Sequence, residues 1–331
     1  MSGVIVSLTS YGERIQVVHK VVESLKNQTM QAAKIILWLD ETELTREELP
    51  TALSKLEDDL FEVCFCPNYK SYKKLIPTLA RYPDSDIITF DDDILIPPNT
   101  ISAFLHEASQ NKNTIIAARG RLMSADVAGE FDNYTSWTLL NNTSNMTAHY
   151  CIIPIGYGGV LYPPGSLNES IMDVDEFTRL ADNADDIWFK CMSLLNETPT
   201  LLLPKSVTEN YKTIEATQAT ALYLTVNIDD RNSKCLNEIS KKYPQLKALF
   251  CSEEFNHISI DSLFLEELLA KPNLFPNKKS AVDFFISTAL KLETSHTHIA
   301  FQLMSLAKKC RPKGPLINRK LNKYQQKLDK Q

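Results

Sequence analysis

The chain has 331 residues, 44% of them hydrophobic and 23% charged, with a formal net charge of −6 at pH 7. This is ordinary globular composition, long enough for one large domain or two smaller ones, and it excludes a disordered, collagen-like or disulfide-scaffold chain. Residues 305–331 carry nine Lys/Arg against one acid (Asp329), a net +8 that leaves −14 for the rest. An acidic body disfavours a nucleic-acid groove. The basic tail suits either an anionic membrane surface or a plain solvated helix end.

No apolar run reaches the roughly 18 residues of a spanning helix. Met1-Ser2-Gly3 brings neither a basic segment nor a cleavage site, so no signal peptide is expected. The seven cysteines are an odd number without framework spacing, and Cys64 and Cys66 read as one face of a strand. Reduced thiols in a cytosol follow from that.

In chain order, Val4–Leu8 is a short apolar strand ending at Thr9-Ser10-Tyr11-Gly12. A helical period follows through Ile15, Val18, Val22 and Leu25. Ile35–Leu39 is a second strand, ending at Asp40-Glu41. Thr45 and Glu48 have capping-box spacing and open a helix predicted to run to about Asp59. Phe61–Cys66 is a third strand, Tyr72–Tyr82 a third helix, and Ile87–Phe90 a fourth strand ending in Asp91-Asp92-Asp93. Strand–helix alternation predicts βαβ units and a mostly parallel sheet. In such sheets ligands bind at the carboxyl ends of strands, where Thr9–Tyr11, Asp40-Glu41 and Asp91–Asp93 all fall.

Further on, Thr114–Ala118 reads as a strand and 124–150 as polar loop. Cys151–Ile155 is a strand running into Gly156-Tyr157-Gly158-Gly159. Four of the nine glycines lie within 156–165, which predicts backbone in close approach or tight turns. Asp182–Leu195 looks helical, Leu201–Leu203 is a short strand, and the chain from Ser233 is helical to the end. A boundary is expected near residue 245.

Three adjacent carboxylates after a buried strand repel one another, so a cation must offset them or some must hold protons. A hard divalent cation is the natural partner. Strand alternation points Asp91 and Asp93 to one side and Asp92 to the other. As caps for a helix at Asn99–Ser109 these acids come too early, because Pro97-Pro98 intervene. Asp185-Asp186 sits at a helix start, where the dipole favours acids. A general base held near an acceptor hydroxyl would look the same, and both readings stand. Lys73 and Lys74, or Arg14, could meet a phosphate at a helix start or be ordinary surface cations. The six histidines (19, 106, 149, 257, 296 and 298) have no zinc spacing, and no GxSxG, P-loop or GxGxxG occurs.

Taken together, Val4–Leu8 with Thr9-Ser10-Tyr11, and then Ser24-Leu25 with Gln28-Thr29, resembles the opening of family-2-like glycosyltransferases of the GT-A fold. Ile88–Ile94 with Asp91-Asp92-Asp93 and Pro97 resembles their DxD metal motif. Tyr72-Lys73-Lys74-Leu75 is similar to a subgroup of bacterial capsule and lipopolysaccharide enzymes. Gly158-Gly159 and Ala184–Trp188 resemble the acceptor-side glycine loop and the acidic catalytic motif. The resemblance covers residues 3–215. It implies an α/β, Rossmann-like, mostly parallel sheet flanked by helices over 1–245, with a helical appendage and basic tail over 246–331.

It also implies a metal-dependent, inverting transfer from a nucleotide-sugar donor, with a UDP-sugar favoured, to a saccharide or glycolipid hydroxyl in bacterial surface polysaccharide synthesis. Thr9 and Tyr11 would hold the base, with Arg14 nearby, and Asp40 would reach the base or ribose. Lys73 would approach the phosphates. Asp91 and Asp92 would line the donor site, and Asp93 with Asp91 would bind Mn²⁺ or Mg²⁺. Gly158 and Gly159 would border the sugar, and Asp185 or Asp186 would be the base. The family commonly has Glu-Asp at the last pair, so which acid is the base is open. It often adds a metal-binding histidine, but after Asp186 the next is His257, too distant. A cytoplasmic enzyme follows, with peripheral inner-membrane contact through the tail and a homo-oligomer both left open. Two alternatives remain. A haloacid-dehalogenase-type phosphatase also places Asp-x-Asp after a parallel strand, but there Thr or Val usually stands where this chain has Leu95, and the motif sits on the first strand. A non-catalytic nucleotide- or carbohydrate-binding module is the other, against which Asp185-Asp186 argues.

Overall fold

The apolar runs of the first ninety residues become parallel strands buried on both faces, except at the sheet edge, where Glu62, Cys64 and Phe65 are half-buried. These strands are β1 (Ile5–Thr9), β2 (Lys34–Asp40), β3 (Phe61–Cys66) and β4 (Ile87–Phe90). The computed structural model describes residues 3–123, 131, 133–140, 148–214, 231–251, 277–293 and 297–328. Helices between these strands are α1 (Val18–Lys26), α2 (Thr51–Ser54) and α3 (Ile76–Arg81). The strands pair in the order β3-β2-β1-β4, all parallel, so their carboxyl ends share one edge.

Then come β5 (Ile94–Leu95), α4 (Thr100–Gln110), β6 (Ile115–Leu122), β7 (Thr138–Leu140) and β8 (Ile152–Tyr162). The remaining elements of this unit are α5 (Val174–Leu180), α6 (Asp185–Leu195), β9 (Thr200–Leu202), α7 (Lys205–Thr208), β10 (Lys212–Thr213), α8 (Arg231–Lys242) and α9 (Gln245–Cys251). The sheet continues from β4 to β8, β6 and β7 by antiparallel pairing, with β9 parallel to β6. Four of the seven pairings in this sheet are parallel, so it is the mostly parallel α/β sheet flanked by helices that the resemblance implies.

Several local expectations need correction. Thr45 and Glu48 do form a capping box: the Glu48 carboxylate accepts from the Thr45 N–H at 2.8 Å and from its hydroxyl at 2.9 Å. It opens only a 3-10 turn, Arg46–Glu48, because Pro50 lacks an N–H to continue the helix. The predicted helix Tyr72–Tyr82 begins as a 3-10 turn, Lys70–Lys74, with Pro77 early in the α-helix that follows. The glycines after Ile155 stay inside β8, because the register of β6 on β8 shifts between Ala117 and Arg119 and positive-φ Gly158 and Gly159 absorb the irregularity. Part of the 124–150 stretch is strand β7, and the rest of it lies largely outside the described residues.

Polar groups inside the core tie sheet to helices. Ser7 Oγ and Thr78 Oγ1 lie 2.7 Å apart, and the Trp38 indole N–H donates to Thr78 at 2.7 Å. Buried Gln28 stitches the end of α1 to the segment after the acidic triplet: its amide donates to the Pro97 carbonyl (2.8 Å) and accepts from the Ile101 N–H (3.0 Å). The Ile96 N–H donates to Ser24 Oγ at 3.1 Å. The Ser24…Gln28 pair thus fixes where the chain goes after Asp93.

The chain forms two compact units, Met1–His257 and Ile258–Gln331. Gln245–Cys251 belongs to the first, and the division falls among residues 252–276, outside the described ones. The second unit contains α10 (Lys278–Leu292), α11 (Thr297–Cys310) and α12 (Pro315–Leu328) around a core of Phe285, Met304, Ile317 and Tyr324. Asn277 caps α10, accepting from the Ser280 N–H at 2.9 Å. No described helix is long and apolar enough to cross a membrane.

Candidate active site

Parallel pairing brings Thr9, Asp40 and Asp91 to the same edge of the sheet. The three aspartates then part. Asp92 turns inward and is buried. Its carboxylate accepts from Ser10 Oγ at 2.6 Å and from the Arg14 guanidinium at 2.7 Å. Burial raises its pKa, and Arg14 and Ser10 pull it back. Asp93 lies 3.2 Å from the same Arg14 nitrogen and is less covered. Burial, then the charge of Asp91, push it up to about 6 against the pull of Arg14. Arg14 also stands 5.6 Å from the Tyr11 ring. In the structure, then, Arg14 serves the acidic triplet itself.

Thr9 Oγ1 donates to the Trp38 carbonyl at 2.8 Å, and Tyr11 is exposed beside it. Asp40 accepts from the Thr42 N–H (2.8 Å) and hydroxyl (2.7 Å) through Oδ1. Its Oδ2 is buried, has no hydrogen-bond donor among the described residues and lies 3.9 Å from Lys73 Nζ. Lys73 and Asp40 therefore form one buried, loosely paired couple at the end of β2.

The next residue in sequence goes elsewhere. Lys74 Nζ lies 2.8 Å from Asp185 Oδ2 and 3.4 Å from Asp91 Oδ1. Burial opposes its charge, but Asp185, Asp91 and Asp186 outweigh that and hold its pKa well above the ordinary lysine value. Ser71 Oγ donates to the other Asp185 oxygen at 2.8 Å. The turn carrying Ser71 and Lys74 is anchored by Tyr72, whose hydroxyl donates to the Ala181 carbonyl (2.6 Å). The Tyr72 ring stacks on Phe177 at 4.2 Å.

Asp186 accepts from the Gly156 N–H at 3.3 Å. Burial, then Asp185, raise its pKa, with Lys74 opposing. Gly156 is where β8 crosses the acids: a Cβ there would sit 2.8 Å from Lys74 Nζ and 3.1 Å from Asp91 Oδ1. Gly158 and Gly159 are packed differently. A Cβ would meet the Tyr211 ring at 2.4 Å in the first and the Phe90 ring at 2.5 Å in the second, so apolar packing surrounds both.

The structure thus gathers Asp91, Asp185 and Asp186 around Lys74 and Gly156, with Asp93, Asp92 and Arg14 adjoining through the triplet. Ser10, Ser71 and Gly156 carry no role in the sequence alone, and Lys74 reads there as a phosphate contact or surface cation, not as the partner of Asp185 and Asp91. The glycine concentration and the Lys73-Lys74 pair were the available signals. As to a metal, no three described His, Cys, Asp or Glu side chains converge as a ready cage. Two carboxylates with further oxygens from a bound diphosphate is nonetheless a common way to hold Mg²⁺. Asp91 and Asp93 are the triplet members not locked as Asp92 is: Asp91 lies 3.4 Å from Lys74 and Asp93 3.2 Å from Arg14.

No family model matches the chain, and no curated protein matches it. Solved structures similar to it include S. aureus TarS 1–349, at 13% identity and a TM-score of 0.44, covering 98% of this chain and 91% of that one. Another is a 4-diphosphocytidyl-2C-methyl-D-erythritol synthase, at 12% identity and a TM-score of 0.40, covering 68% and 97%. At these identities the likeness concerns fold alone.

Proposed function

We propose that the chain is a metal-dependent glycosyltransferase. It would move a hexosyl group from a nucleoside-diphosphate sugar, with UDP the favoured nucleotide, to a saccharide or glycolipid hydroxyl, inverting the sugar carbon. Bacterial capsule or lipopolysaccharide synthesis is the setting the resemblance suggests. The observation that supports this most is the meeting of two acidic motifs, Asp91 from the end of β4 and Asp185-Asp186 from the start of α6, around one buried lysine.

In this reading Tyr11, Asp40 and Lys73 face the nucleoside end of the donor. Asp91 and Asp93 hold Mn²⁺ or Mg²⁺, which would offset the charge developing on the departing diphosphate. Asp186 is the base. Asp185 is held at both oxygens by Ser71 and Lys74, whereas the raised proton affinity of Asp186 suits it to take the acceptor proton. Lys74 and Asp185 then act by position, keeping Asp186 and Asp91 in place.

The test is a thermal-shift series with UDP-, GDP-, dTDP- and CMP-sugars, each with Mn²⁺ and with EDTA. Metal-dependent stabilisation by one nucleotide is expected, worth about 2.7 kcal/mol at 100 times its Kd. No shift with any of them, together with Asp91-dependent hydrolysis of p-nitrophenyl phosphate, would move the chain to the phosphatases. Asp186→Asn should lower turnover at least a hundredfold while sparing donor binding, and Asp185→Asn should lower it less.

A further inference from the structure

The described part of the second unit holds eleven Lys/Arg against two acids, Asp283 and Glu293, and the fold sorts them to two ends. The three helices run up, down and up, so α10 begins where α11 ends and α12 starts. Lys278 acts electrostatically on the Cys310 thiol, consistent with that arrangement. The turn between α11 and α12 is closed by the Gly314 N–H on the Arg311 carbonyl (3.1 Å) and by the Asn318 amide on the Pro312 carbonyl (3.1 Å).

At the far end Glu293 gathers the cations of α12. Its carboxylate pairs with Lys320 and accepts from the Tyr324 hydroxyl (3.1 Å), and its backbone carbonyl accepts from Lys327 (3.3 Å). At the near end Lys278, Lys279, Lys308, Lys309, Arg311 and Lys313 are all exposed, and the one acid in 277–284 and 305–316 is Asp283, also exposed. Two large apolar side chains face outward here: Leu316, 37% exposed, in the first turn of α12, and Phe284, 50% exposed, at the middle of α10.

The geometry points to this end of the bundle as a docking site for an anionic phospholipid surface. The six cations would meet headgroup phosphates, and Leu316 and Phe284 would reach the acyl boundary. Basic clusters beside exposed apolar side chains bind membranes by adding both contributions. Exposed Leu316 among the cations favours a lipid surface, whose acyl boundary can receive an apolar side chain, over a nucleic acid. The patch differs from the basic tail as a sequence feature. It takes residues 308–313 from that tail, adds Lys278 and Lys279 from 30 residues upstream, and leaves out Lys320 and Lys327. Docking of this end is independent of the transferase reading.

The test is sedimentation of the full chain with phosphatidylcholine vesicles that either contain or lack phosphatidylglycerol, at low and high salt. Binding to the anionic vesicles should be at least ~10-fold stronger and fall with salt. The variant Lys308→Glu/Arg311→Glu/Lys313→Glu changes exposed positions only and should lose at least ~30-fold with unchanged helicity and melting. Lys291→Glu/Lys323→Glu, away from this end, should stay within about threefold of the parent. Phe284→Ser/Leu316→Ser should lower the binding that survives high salt. Equal binding to both vesicle types, equal loss in the two charge-reversal variants, or displacement by duplex DNA at matched phosphate would each overturn the proposal.

Discussion

Lys74 and Asp185 stand 2.8 Å apart, both buried, and through them the end of a sheet strand and the start of a helix share one charge cluster. A buried cation among several carboxylates is stable only as a set. Removing one member leaves the others uncompensated in low dielectric, which typically costs more than the pair itself contributes.

Lys74→Met should therefore destabilise the chain by about 3–5 kcal/mol, read as a shift in urea midpoint at constant m-value. The double variant Lys74→Met/Asp185→Leu should recover part of that loss. A cost below about 1 kcal/mol for the single change would mean that solvent reaches the cluster.

Gly156→Ala places a methyl where Lys74 Nζ and Asp91 now sit. The backbone tolerates it, since Gly156 is not among the positive-φ glycines. The lysine end can shift, so stability should fall by no more than about 2 kcal/mol. Nucleotide-sugar turnover should fall at least tenfold, because Asp91 and Asp186 both border this residue. Gly12→Ala is the contrast: φ is +54° with nothing within 4 Å of the new Cβ, so about 1 kcal/mol of backbone strain is expected and no side-chain displacement.

Asp93 gives the metal-free chain a pH signature. Its pKa rises from 3.8 to about 6 on folding. Between those values the folded chain keeps a proton that the unfolded chain has lost, so this group's contribution makes stability fall as pH rises through the window. Above pH 6 the penalty is complete, on the order of 1 kcal/mol after allowance for screening. In EDTA, Asp93→Asn should melt above the parent at pH 7 and level with it near pH 4. Mn²⁺ at pH 7 should raise the parent more than the variant. Equal gains in both would remove Asp93 from the metal shell.

Lys190, on α6, is fully buried, and its Nζ has no hydrogen-bond partner among the described residues. Burial pushes its pKa down to about 7, with the Cys151 and Cys191 thiols opposing weakly. From about 7 to 10.5 the unfolded chain holds a proton that the folded chain lacks, so this group makes stability rise with pH at up to about 1.4 kcal/mol per unit. Lys190→Met should abolish that slope and stabilise the chain at pH 7, measured by chemical denaturation at several pH values. A destabilised Met variant would show that the lysine has a partner in solution.

The sequence by itself determined the strands of the first half and the edge where chemistry gathers. Runs such as Ile35–Leu39 are apolar on both faces, and their alternation with helical periods marks them as covered parallel strands. A polar cluster directly after such a strand must then lie at its carboxyl end. It also determined that Asp91–Asp93 needs compensation, because adjacent like charges repel wherever they are placed. Tertiary structure alone decided what compensates them. Lys73 and Lys74 are indistinguishable in sequence, yet the Tyr72 anchor turns one to Asp40 and the other to Asp91 and Asp185. Arg14 reads as a phosphate contact until folding sets it on Asp92. The glycine concentration announces close backbone approach, but only the fold shows what is approached: Gly156 lies against the acids and Gly158 under an aromatic ring, both inside β8. Pairings of this kind join residues tens of positions apart, and their energy comes from burial and close approach, which no local pattern encodes.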